Sequence, residues 1–475
     1  LKASTYEALR VKAEMRKNLR KLLSEVKNVF EGIYGYDETV LPELQQAILA
    51  QHNIIFLGLR GQAKTKMARL LVQLLDEYIP AIKDTPLNEH PFAPISSSAR
   101  ELIEEMGDDT PIEWIHREDR YVEKLATPDV SVADLIGDMD PIKAANMGLS
   151  YSDERVIHYG LVPRANRSIF VINELPDLQA RIQVALFNIL EEGDLQIRGY
   201  KMRWPLDVLL VFTANPEDYT NRGSIITPLK DRIESQILTH YPTDLDIAMD
   251  ITRNQVNLNP DQKENIEIPD LLLELLERVV MTARESEYVD EKSGISARMS
   301  IAALEYLYAA IERRALAQKS DTATGRLTDI FKIVPAMTGK MELLYEGESM
   351  GPINLARMLI FEAIKEQFLS MFPSPEDVAK QEEERDIYDV FKLWFSDGNQ
   401  VYLNLNASDE EYEKQLNKVP GLRKLAKSQA QEDAELPFLM ELLLFGMSFF
   451  EIIELAQEST SFTAYDPLSG ALNDF

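Results

Sequence analysis

One eight-residue loop, Gly58-Leu59-Arg60-Gly61-Gln62-Ala63-Lys64-Thr65, constrains the fold of this chain more than any other segment. An apolar run at 53–57 precedes the loop, and apolar residues at helical spacing follow it over 65–78. In such strand–loop–helix units, backbone N–H groups and the helix N-terminus surround phosphate oxygens. A lysine neutralises phosphate charge and a threonine hydroxyl binds Mg²⁺. The sequence therefore predicts a phosphate-binding loop with Lys64 and Thr65 as its principal side chains, the alternative being a chance strand–helix turn.

Ala63 stands directly before the lysine, at a position where loops of this kind usually carry glycine. Glycine suits a backbone that approaches phosphate closely or that adopts a positive φ angle. We expect alanine to be tolerated here if the residue already has near-helical φ and ψ angles.

Two further apolar runs, 168–172 and 208–213, have the continuous pattern of strands that are buried on both faces of a parallel sheet. The first run ends in Asn173 and Glu174, and Asn215 follows the second. In phosphate-loop ATPases an Asp after such a strand helps to hold Mg²⁺, and a Glu orients the attacking water. Asn173 brings no charge, so we expect weaker Mg²⁺ binding. Ordinary polar strand ends and an Asn-Pro turn are the alternative interpretations.

The spacing of apolar residues divides the chain into four segments. A short N-terminal helical segment, 1–34, precedes an α/β core at 35–242; a helical lid domain at 243–372 and a mainly helical C-terminal extension at 373–475 follow. Within the extension, the pattern predicts polar turns near 398–406, a buried apolar helix from 436 and a loosely held tail over 459–475. Glutamates interrupt the apolar stretch 436–455, which argues against a membrane span.

The charge balance limits the partners of this chain. Fifty basic and 79 acidic residues give a formal net charge of −29. A surface this acidic repels phosphate backbones and anionic lipids, so we expect neither a nucleic-acid partner nor a membrane partner. The absence of cysteine excludes disulfides, thiol catalysis and cysteine-ligated metals, and it fits a reducing compartment. With no signal-peptide pattern at its start, the chain is expected to be cytoplasmic.

The order of these motifs resembles that of the AAA+ ATPases, and in particular the branch of the magnesium-chelatase ATPase subunit and its MoxR relatives. Further segments resemble elements of that branch. Residues 35–38 resemble the box beside the adenine, 127–159 the insert in a helix, 160–169 the approach to the acidic strand, and 191–200 the inserted hairpin. Residues 229–233 resemble the arginine-finger element, and 293–298 resemble the start of the sensor 2 helix. The resemblance covers about 30–370 and leaves the last hundred residues unassigned.

The resemblance implies a P-loop AAA+ parallel-sheet core with a helical lid, using ATP and Mg²⁺. It assigns nucleotide contacts to Tyr36, Gly58, Arg60, Gly61, Gln62, Ala63, Lys64 and Thr65, metal contacts to Thr65 and Asn173, and catalytic roles to Glu174, Asn215, Arg232 and Arg298. Glu174 polarises the water that Asn215 positions, while Arg232 acts on the site of the next subunit and Arg298 contacts the γ-phosphate.

A site completed by a neighbour implies a homo-oligomeric ring, most often a hexamer. In this branch such rings remodel or mature a separate protein that often carries a von Willebrand A domain. Three alternatives remain open at this point: the motor subunit of a metal chelatase, a nucleic-acid motor, and a weakly active nucleotide-dependent scaffold. The negative charge disfavours the nucleic-acid motor, and Asn173 motivates the scaffold.

Overall fold

The computed structural model of the protein describes residues 6–150, 153–195, 197, 203–215, 224–291, 294–379 and 387–467. The chain divides into two compact units, Leu1–Tyr241 and Pro242–Phe475. The first unit is built on a parallel sheet and the second is mainly helical.

A five-stranded parallel sheet is the centre of the first unit. The described strands of the whole first unit, five of which form this sheet, are in chain order β1 (Ile54–Leu57), β2 (Tyr78–Ile82), β3 (Ile112–His116), β4 (Tyr121–Leu125), β5 (Gly137–Met139), β6 (Ile157–Tyr159), β7 (Ser168–Asn173), β8 (Asp194–Leu195), β9 (Trp204–Pro205), β10 (Val208–Ala214) and β11 (Ser235–Leu238). The sheet has the order β11–β1–β10–β7–β4, and every neighbouring pair is parallel. This order brings together the carboxyl ends of β1, β10 and β7, the edge at which α/β sheets bind ligands.

Helices and apolar side chains cover both faces of this sheet. The helices of the first unit are α1 (Val11–Ser24), α2 (Val40–Leu49), α3 (Lys64–Leu70), α4 (Ser97–Met106), α5 (Val132–Leu135), α6 (Pro141–Met147), α7 (Leu161–Arg164), α8 (Ala180–Ala185), α9 (Phe187–Glu191) and α10 (Thr227–Lys230). Side chains alternate along β1: Ile54 and Phe56 join a cluster with α1, α2 and α3, whereas Ile55 and Leu57 join a second cluster. The predicted α/β core with a buried parallel sheet is therefore confirmed.

Helix α1 is fixed to the amino ends of the strands. The carboxylate of Asp207, just before β10, accepts the backbone N–H of Val11 at 2.9 Å, which is a favourable position for an anion at a helix N-terminus. Glu14 forms a buried ion pair at 2.7 Å with Arg120, the residue before β4. Arg120 Nε also donates to the carbonyl of Arg167, just before β7. The amino ends of β4, β7 and β10 are therefore all linked to α1 by polar contacts, β7 through Arg120.

Several elements differ from the pattern-based expectations. Helix α3 ends at Leu70 and not near position 78, because a short 3₁₀ turn and β2 follow it. Strands β2 and β3 form an antiparallel pair that the sequence did not predict. The expected insert at 127–159 contains α5, α6 and the antiparallel pair β5–β6.

The second unit is mainly helical, as predicted. Its helices are α11 (Leu245–Gln255), α12 (Pro260–Asn265), α13 (Asp270–Glu285), α14 (Arg298–Ala317), α15 (Val334–Thr338), α16 (Tyr345–Met350), α17 (Pro352–Met371), α18 (Pro375–Ala379), α19 (Asp389–Ser396), α20 (Asp409–Leu416), α21 (Leu422–Lys427) and α22 (Leu436–Phe449), and its strands are β12 (Ile266–Glu267), β13 (Ala323–Thr324), β14 (Val401–Asn404), β15 (Glu454–Gln457) and β16 (Ser461–Tyr465). One buried cluster includes residues from both 243–372 and 373–475.

Two local expectations for the C-terminal extension were wrong. Strand β14 occupies the stretch that was expected to be turns, and β16 lies in the stretch that was expected to be a loose tail. The two strands pair antiparallel with each other, and β15 pairs with β16. Phe462 explains the order of β16: it is 1% exposed and packs against the rings of Phe331 and Phe445. Residues 468–475 lie outside the described part of the chain.

Helix α22 is the buried apolar helix that the sequence predicted. It approaches α17 so closely that a Cβ on Gly446 would lie 2.1 Å from the Phe368 ring. Glu441 is fully buried in this apolar helix and accepts the backbone N–H of Thr328 at 2.8 Å. None of the described helices is both long enough and apolar enough to cross a bilayer.

Candidate nucleotide site

The loop between β1 and α3 is held in shape by contacts with the end of β11. Thr239 Oγ1 donates to Gln62 Oε1 at 2.7 Å, and both side chains are buried. A Cβ added to Gly58 would lie 1.9 Å from Thr239 Oγ1 and 2.2 Å from Gln62 Oε1. Glycine is therefore required at position 58 because the two polar side chains fill the space beside it.

Ala63 does not have the near-helical backbone under which alanine would be readily tolerated. Its φ and ψ angles are 56° and 13°, in the left-handed region. Gly61, two residues earlier, also has positive φ, at 75°. An alanine in this region suffers steric repulsion between Cβ and backbone that a glycine avoids, typically about 1–2 kcal/mol. The loop thus keeps a glycine-type conformation at a position where the side chain opposes it.

Lys64 points its ammonium group back into the loop. Nζ donates to the carbonyl of Leu59 at 2.8 Å and also to the carbonyl of Gly58. The lysine is buried, so these carbonyls supply part of the solvation that the charge loses. The positive charge therefore lies within the loop of residues 58–65, where a phosphate group would be bound.

Thr65, Asn173 and Thr213 form an oxygen-rich cluster at the carboxyl ends of β7 and β10. The hydroxyls of Thr65 and Thr213 donate to Asn173 Oδ1 at 3.4 Å and 3.1 Å. Thr213 Oγ1 in turn accepts the backbone N–H of Glu174 at 3.2 Å. Hydroxyl and amide oxygens are ligands that suit a hard cation such as Mg²⁺. The donor set beside Lys64 therefore fits a nucleotide phosphate together with magnesium.

Glu174 begins the segment after β7 in a strained conformation. Its φ and ψ angles are 55° and 49°, and its side chain is half-buried. Positive φ in a residue other than glycine concentrates at functional sites, where surrounding contacts maintain it. Asn215, directly after β10, is buried. The register places β7 and β10 side by side, so both residues lie at the same edge of the sheet as the loop.

Tyr36 contacts the loop from the N-terminal side. Its hydroxyl donates to the backbone carbonyl of Gln62 at 3.1 Å and to that of His240 at 2.8 Å. Burial raises the pKa of this phenol, so the hydroxyl stays protonated and remains a donor. Tyr241 supports the same loop by donating to the carbonyl of Arg60 at 2.8 Å. An adenine contact by Tyr36 stays a prediction.

The two candidate arginines lie in different units. Arg232 pairs with Glu191 of its own chain at 2.8 Å, and its guanidinium lies 4.8 Å from the centre of the Phe187 ring. Arg298 is the first residue of α14 in the second unit; it is exposed, and its backbone N–H donates to Ser296 Oγ at 3.0 Å. Their catalytic roles stay predictions.

The sequence also predicts two working surfaces, the hairpin tip near Gly199 and the insert near Met147–Tyr151, and these segments are only partly described. Strands β8 and β9 pair antiparallel, as expected for the hairpin predicted at 191–200 with its return through Arg203 and Trp204. The predicted tip at Gly199, and Tyr151 of the insert, lie outside the described residues. Met147, at the end of α6, is exposed.

Sequence reasoning missed three side chains of this site: Thr213, Thr239 and Glu123. Thr213 gave a signal, because it is a polar residue within an otherwise apolar strand. Thr239 lies at the end of a strand that the apolar pattern did not reveal. Glu123, on β4, accepts a hydrogen bond from Asn173 Nδ2. That contact joins residues fifty positions apart and cannot be deduced from local patterns.

Comparisons with known proteins agree with this geometry. No protein-family model matches the sequence. The chain is 26% identical over 247 residues to the magnesium-chelatase 38 kDa subunit of Rhodobacter capsulatus, covering 50% of this chain and 63% of the relative. It is also 26% identical over 206 residues to the protein of the same name from Cereibacter sphaeroides, covering 42% and 54%. The match therefore spans less than two thirds of either relative.

Among solved structures, one chain of the complex between subunits BchI and BchD of magnesium chelatase is similar, with a TM-score of 0.34 and 21% identity, covering 68% of this chain and 98% of that chain. The sequence relatives, the phosphate-binding type of loop and the parallel strand order together confirm the predicted resemblance of this chain to the AAA+ ATPases of the magnesium-chelatase branch.

Proposed function

We propose that the chain binds ATP with Mg²⁺ at the loop 58–65 and hydrolyses it, and that a ring of identical subunits uses this hydrolysis to remodel or mature a partner protein. The observation that carries the proposal is the position of the Thr65 and Asn173 oxygens beside the buried Lys64, at the carboxyl edge of the sheet. A phosphate group would pair with the positive charge of Lys64, and a hard cation would bind the oxygens of Thr65 and Asn173.

The side chains of the site have separate roles in this proposal. Lys64 exchanges its two loop carbonyls for phosphate oxygens and neutralises their charge. Thr65 Oγ1 and Asn173 Oδ1 would hold the magnesium, which would supply positive charge beside the phosphates. Glu174 orients and polarises the attacking water, and Asn215 fixes the position of that water. Each role requires only groups at the carboxyl ends of neighbouring strands.

The ring is supported by the position of Arg232. It is held by Glu191 and Phe187 of its own chain, in contacts that do not involve the loop 58–65. A head-to-tail ring brings a second copy of the loop to the surface of each neighbour. In that arrangement Arg232 leaves Glu191 and completes the site of the next subunit, as arginine fingers do in related phosphoryl transfer. Arg298 is the second arginine that the resemblance assigns to the γ-phosphate.

Glu174→Gln is the direct test of the chemistry. Loss of the base should leave ATP binding within a factor of about two and slow hydrolysis by at least ~10²-fold. Binding is measured with a fluorescent ATP analogue and hydrolysis by phosphate release, with Lys64→Ala as the binding-deficient reference. Glu105→Gln, at an exposed position on α4, is the matched control and should hydrolyse normally. Full activity of Glu174→Gln would remove Glu174 from the mechanism.

A weakly active, nucleotide-dependent scaffold is the second candidate. Two observations favour it: the left-handed Ala63, which strains the loop, and the uncharged Asn173 in place of a metal-binding carboxylate. In the wild-type chain, tight nucleotide binding with phosphate release no faster than that of Glu174→Gln would establish this scaffold and exclude the motor.

The motor subunit of a magnesium chelatase is a further alternative, and the names of the sequence relatives favour it. The identity of the protein that co-purifies with the chain separates the two motors. A large porphyrin-binding subunit indicates a chelatase, whereas a substrate protein with a von Willebrand A domain indicates remodelling.

A further inference from the structure

We infer that Glu123 on β4 is a positioning residue for the metal side of the site, and that Glu123 is the reason an asparagine suits position 173. The inference rests on the proposed function, because it concerns the same Mg²⁺–nucleotide site. It begins from one contact: the amide Nδ2 of Asn173 donates to Glu123 Oε1.

The sheet brings these two side chains to the same face. In the parallel register β4 lies beside β7, and Glu123 is opposite Val171. Val171 and Asn173 are two residues apart on one strand, so their side chains point to the same face. Val171 belongs to the cluster that also contains Met67 of α3, the helix that follows the loop. Glu123 therefore faces the loop side of the sheet.

The hydrogen bond fixes which end of the Asn173 amide faces the metal ligands. A carboxylate accepts and cannot donate, so the NH₂ group must point to Glu123. The amide oxygen is then left to accept from Thr65 and Thr213, as observed. Without this partner the amide can rotate and present its NH₂ group to Thr65, which would repel a cation.

The second oxygen of Glu123 connects the same carboxylate to the helix of the loop. Glu123 Oε2 accepts from Arg69 Nε at 3.0 Å, and from the Tyr121 hydroxyl at 3.2 Å. Arg69 belongs to α3 and is exposed, so the ion pair itself contributes little stability. These two contacts instead fix the orientation of Glu123. The carboxylate cannot turn away from Asn173 without losing the hydrogen bonds from Arg69 and Tyr121.

The same geometry explains the missing aspartate. A carboxylate at position 173 would place its oxygens at hydrogen-bonding distance from those of Glu123, with no proton between them. Like charges that close disfavour each other strongly. Asparagine instead turns this contact into a hydrogen bond and delivers a neutral oxygen to the metal. The effect of Asn173→Asp must therefore depend on residue 123.

A double-mutant cycle tests this dependence: wild type, Glu123→Gln, Asn173→Asp and the double variant. For each protein, the affinity for an N-methylanthraniloyl ATP probe is measured in EDTA and across a Mg²⁺ titration. Glu123→Gln can present either an oxygen or an NH₂ group to Asn173, so it no longer fixes the orientation of that amide. It should weaken Mg²⁺ affinity by about ten-fold, the lower end of the usual effect of losing a group that orients a metal ligand. Probe affinity in EDTA should change by less than about two-fold, which separates metal positioning from damage to the fold.

The decisive value is the effect of Asn173→Asp in the two backgrounds. Asn173→Asp should improve Mg²⁺ affinity at least about ten-fold more when residue 123 is glutamine than when it is glutamate. Arg69→Gln is the matched control, because it removes the ion pair and leaves the contact with Asn173 in place. It should keep Mg²⁺ affinity within about three-fold of the wild-type value. Equal effects of Asn173→Asp in both backgrounds, or an Arg69→Gln defect as large as that of Glu123→Gln, overturn the inference.

A second measurement keeps this test distinct from the test of the proposed function. Thermal unfolding in EDTA, without nucleotide, should show that Asn173→Asp alone is destabilised and that adding Glu123→Gln to it restores stability. Probe binding by the wild type but not by Lys64→Ala supports the nucleotide site itself. Wild-type protein that binds no probe overturns the proposed function and the metal role of Glu123 together, whereas additive unfolding effects overturn the contact between the two side chains alone.

Discussion

Ala63 is a residue whose side chain opposes the conformation that its loop requires. Replacing it by glycine removes a steric penalty at φ 56° while slightly raising the entropy of the unfolded chain. We expect Ala63→Gly to raise the free energy of unfolding by about 1 kcal/mol. Ala145→Gly, at an exposed helical position, should instead lower it by about 0.5–1 kcal/mol. Chemical denaturation checks both, and a loss of stability in Ala63→Gly would contradict the left-handed assignment.

At this scale the sequence identified the residues of the candidate site better than it predicted their geometry. Lys64, Thr65 and Asn173 were identified because they belong to local motifs after strands. The condition set for tolerating alanine at position 63, a near-helical backbone, is not met, because a motif does not report φ angles. Glu123 was missed because its contact with Asn173 depends on the pairing of two strands that are distant in sequence.

Among the elements, α1 depends on its buried ion pair with the residue that precedes β4. The side chains of Arg120 and Glu14 are 1% and 4% exposed. Arg120→Ala leaves a buried carboxylate without its partner, so we expect a loss of about 3–5 kcal/mol in the free energy of unfolding. Arg253→Ala breaks the exposed pair with Asp270 and should lose less than about 1 kcal/mol. Urea denaturation of both variants makes the comparison, and equal losses would contradict the anchoring role of Arg120.

Helix α22 carries a carboxyl group that is buried in apolar surroundings. Burial raises the pKa of Glu441 to about 7, and its Oε1 has no hydrogen-bond partner among the described residues. The folded chain therefore holds this proton more tightly than the unfolded chain, and stability falls as pH rises from about 4.5 to about 7.

Glu441→Gln isolates this contribution, because the other carboxyl groups are common to both proteins. Between pH 5 and pH 8, wild-type stability should fall relative to the variant by up to about 3 kcal/mol. The free energy of unfolding, measured across this range for both proteins, gives the difference. Parallel curves would mean that Glu441 keeps an ordinary pKa.

Within the five-stranded sheet, the sequence predicted the inner strands better than the edge strands. Strands β1, β7 and β10 lie inside the sheet, and their continuous apolar runs identified them. Strands β4 and β11 lie at the two edges, where one side of each strand lacks a strand partner among the described residues. Their sequences, Tyr121–Leu125 and Ser235–Leu238, mix polar with apolar residues and give a weak signal. The β14–β16–β15 sheet was missed because its strands are short and mix polar with apolar residues, including β16, which lies between the other two.

For the whole assembly, the proposed ring makes a prediction about mixtures of inactive subunits. Lys64→Ala and Arg232→Ala should each hydrolyse ATP poorly, because each spoils a different half of a shared site. Mixing them should restore activity above the sum of the two, at interfaces where an intact Lys64 faces an intact Arg232. Phosphate release measures recovery, and light scattering confirms subunit exchange. Exchange without recovery would assign Arg232 to its own subunit or to the fold alone.

The attachment of α1 has a mechanical consequence for the first unit. Strands β4, β7 and β10 are tied at their amino ends through Arg120, Arg167 and Asp207, whereas the loop 58–65 and Asn173 lie at the opposite edge. We therefore expect a bound ligand to displace the loop more than the amino edge of the sheet. Backbone amides beside α1 should exchange with deuterium at the same slow rate with and without ATP, while amides of the loop slow down when ATP binds.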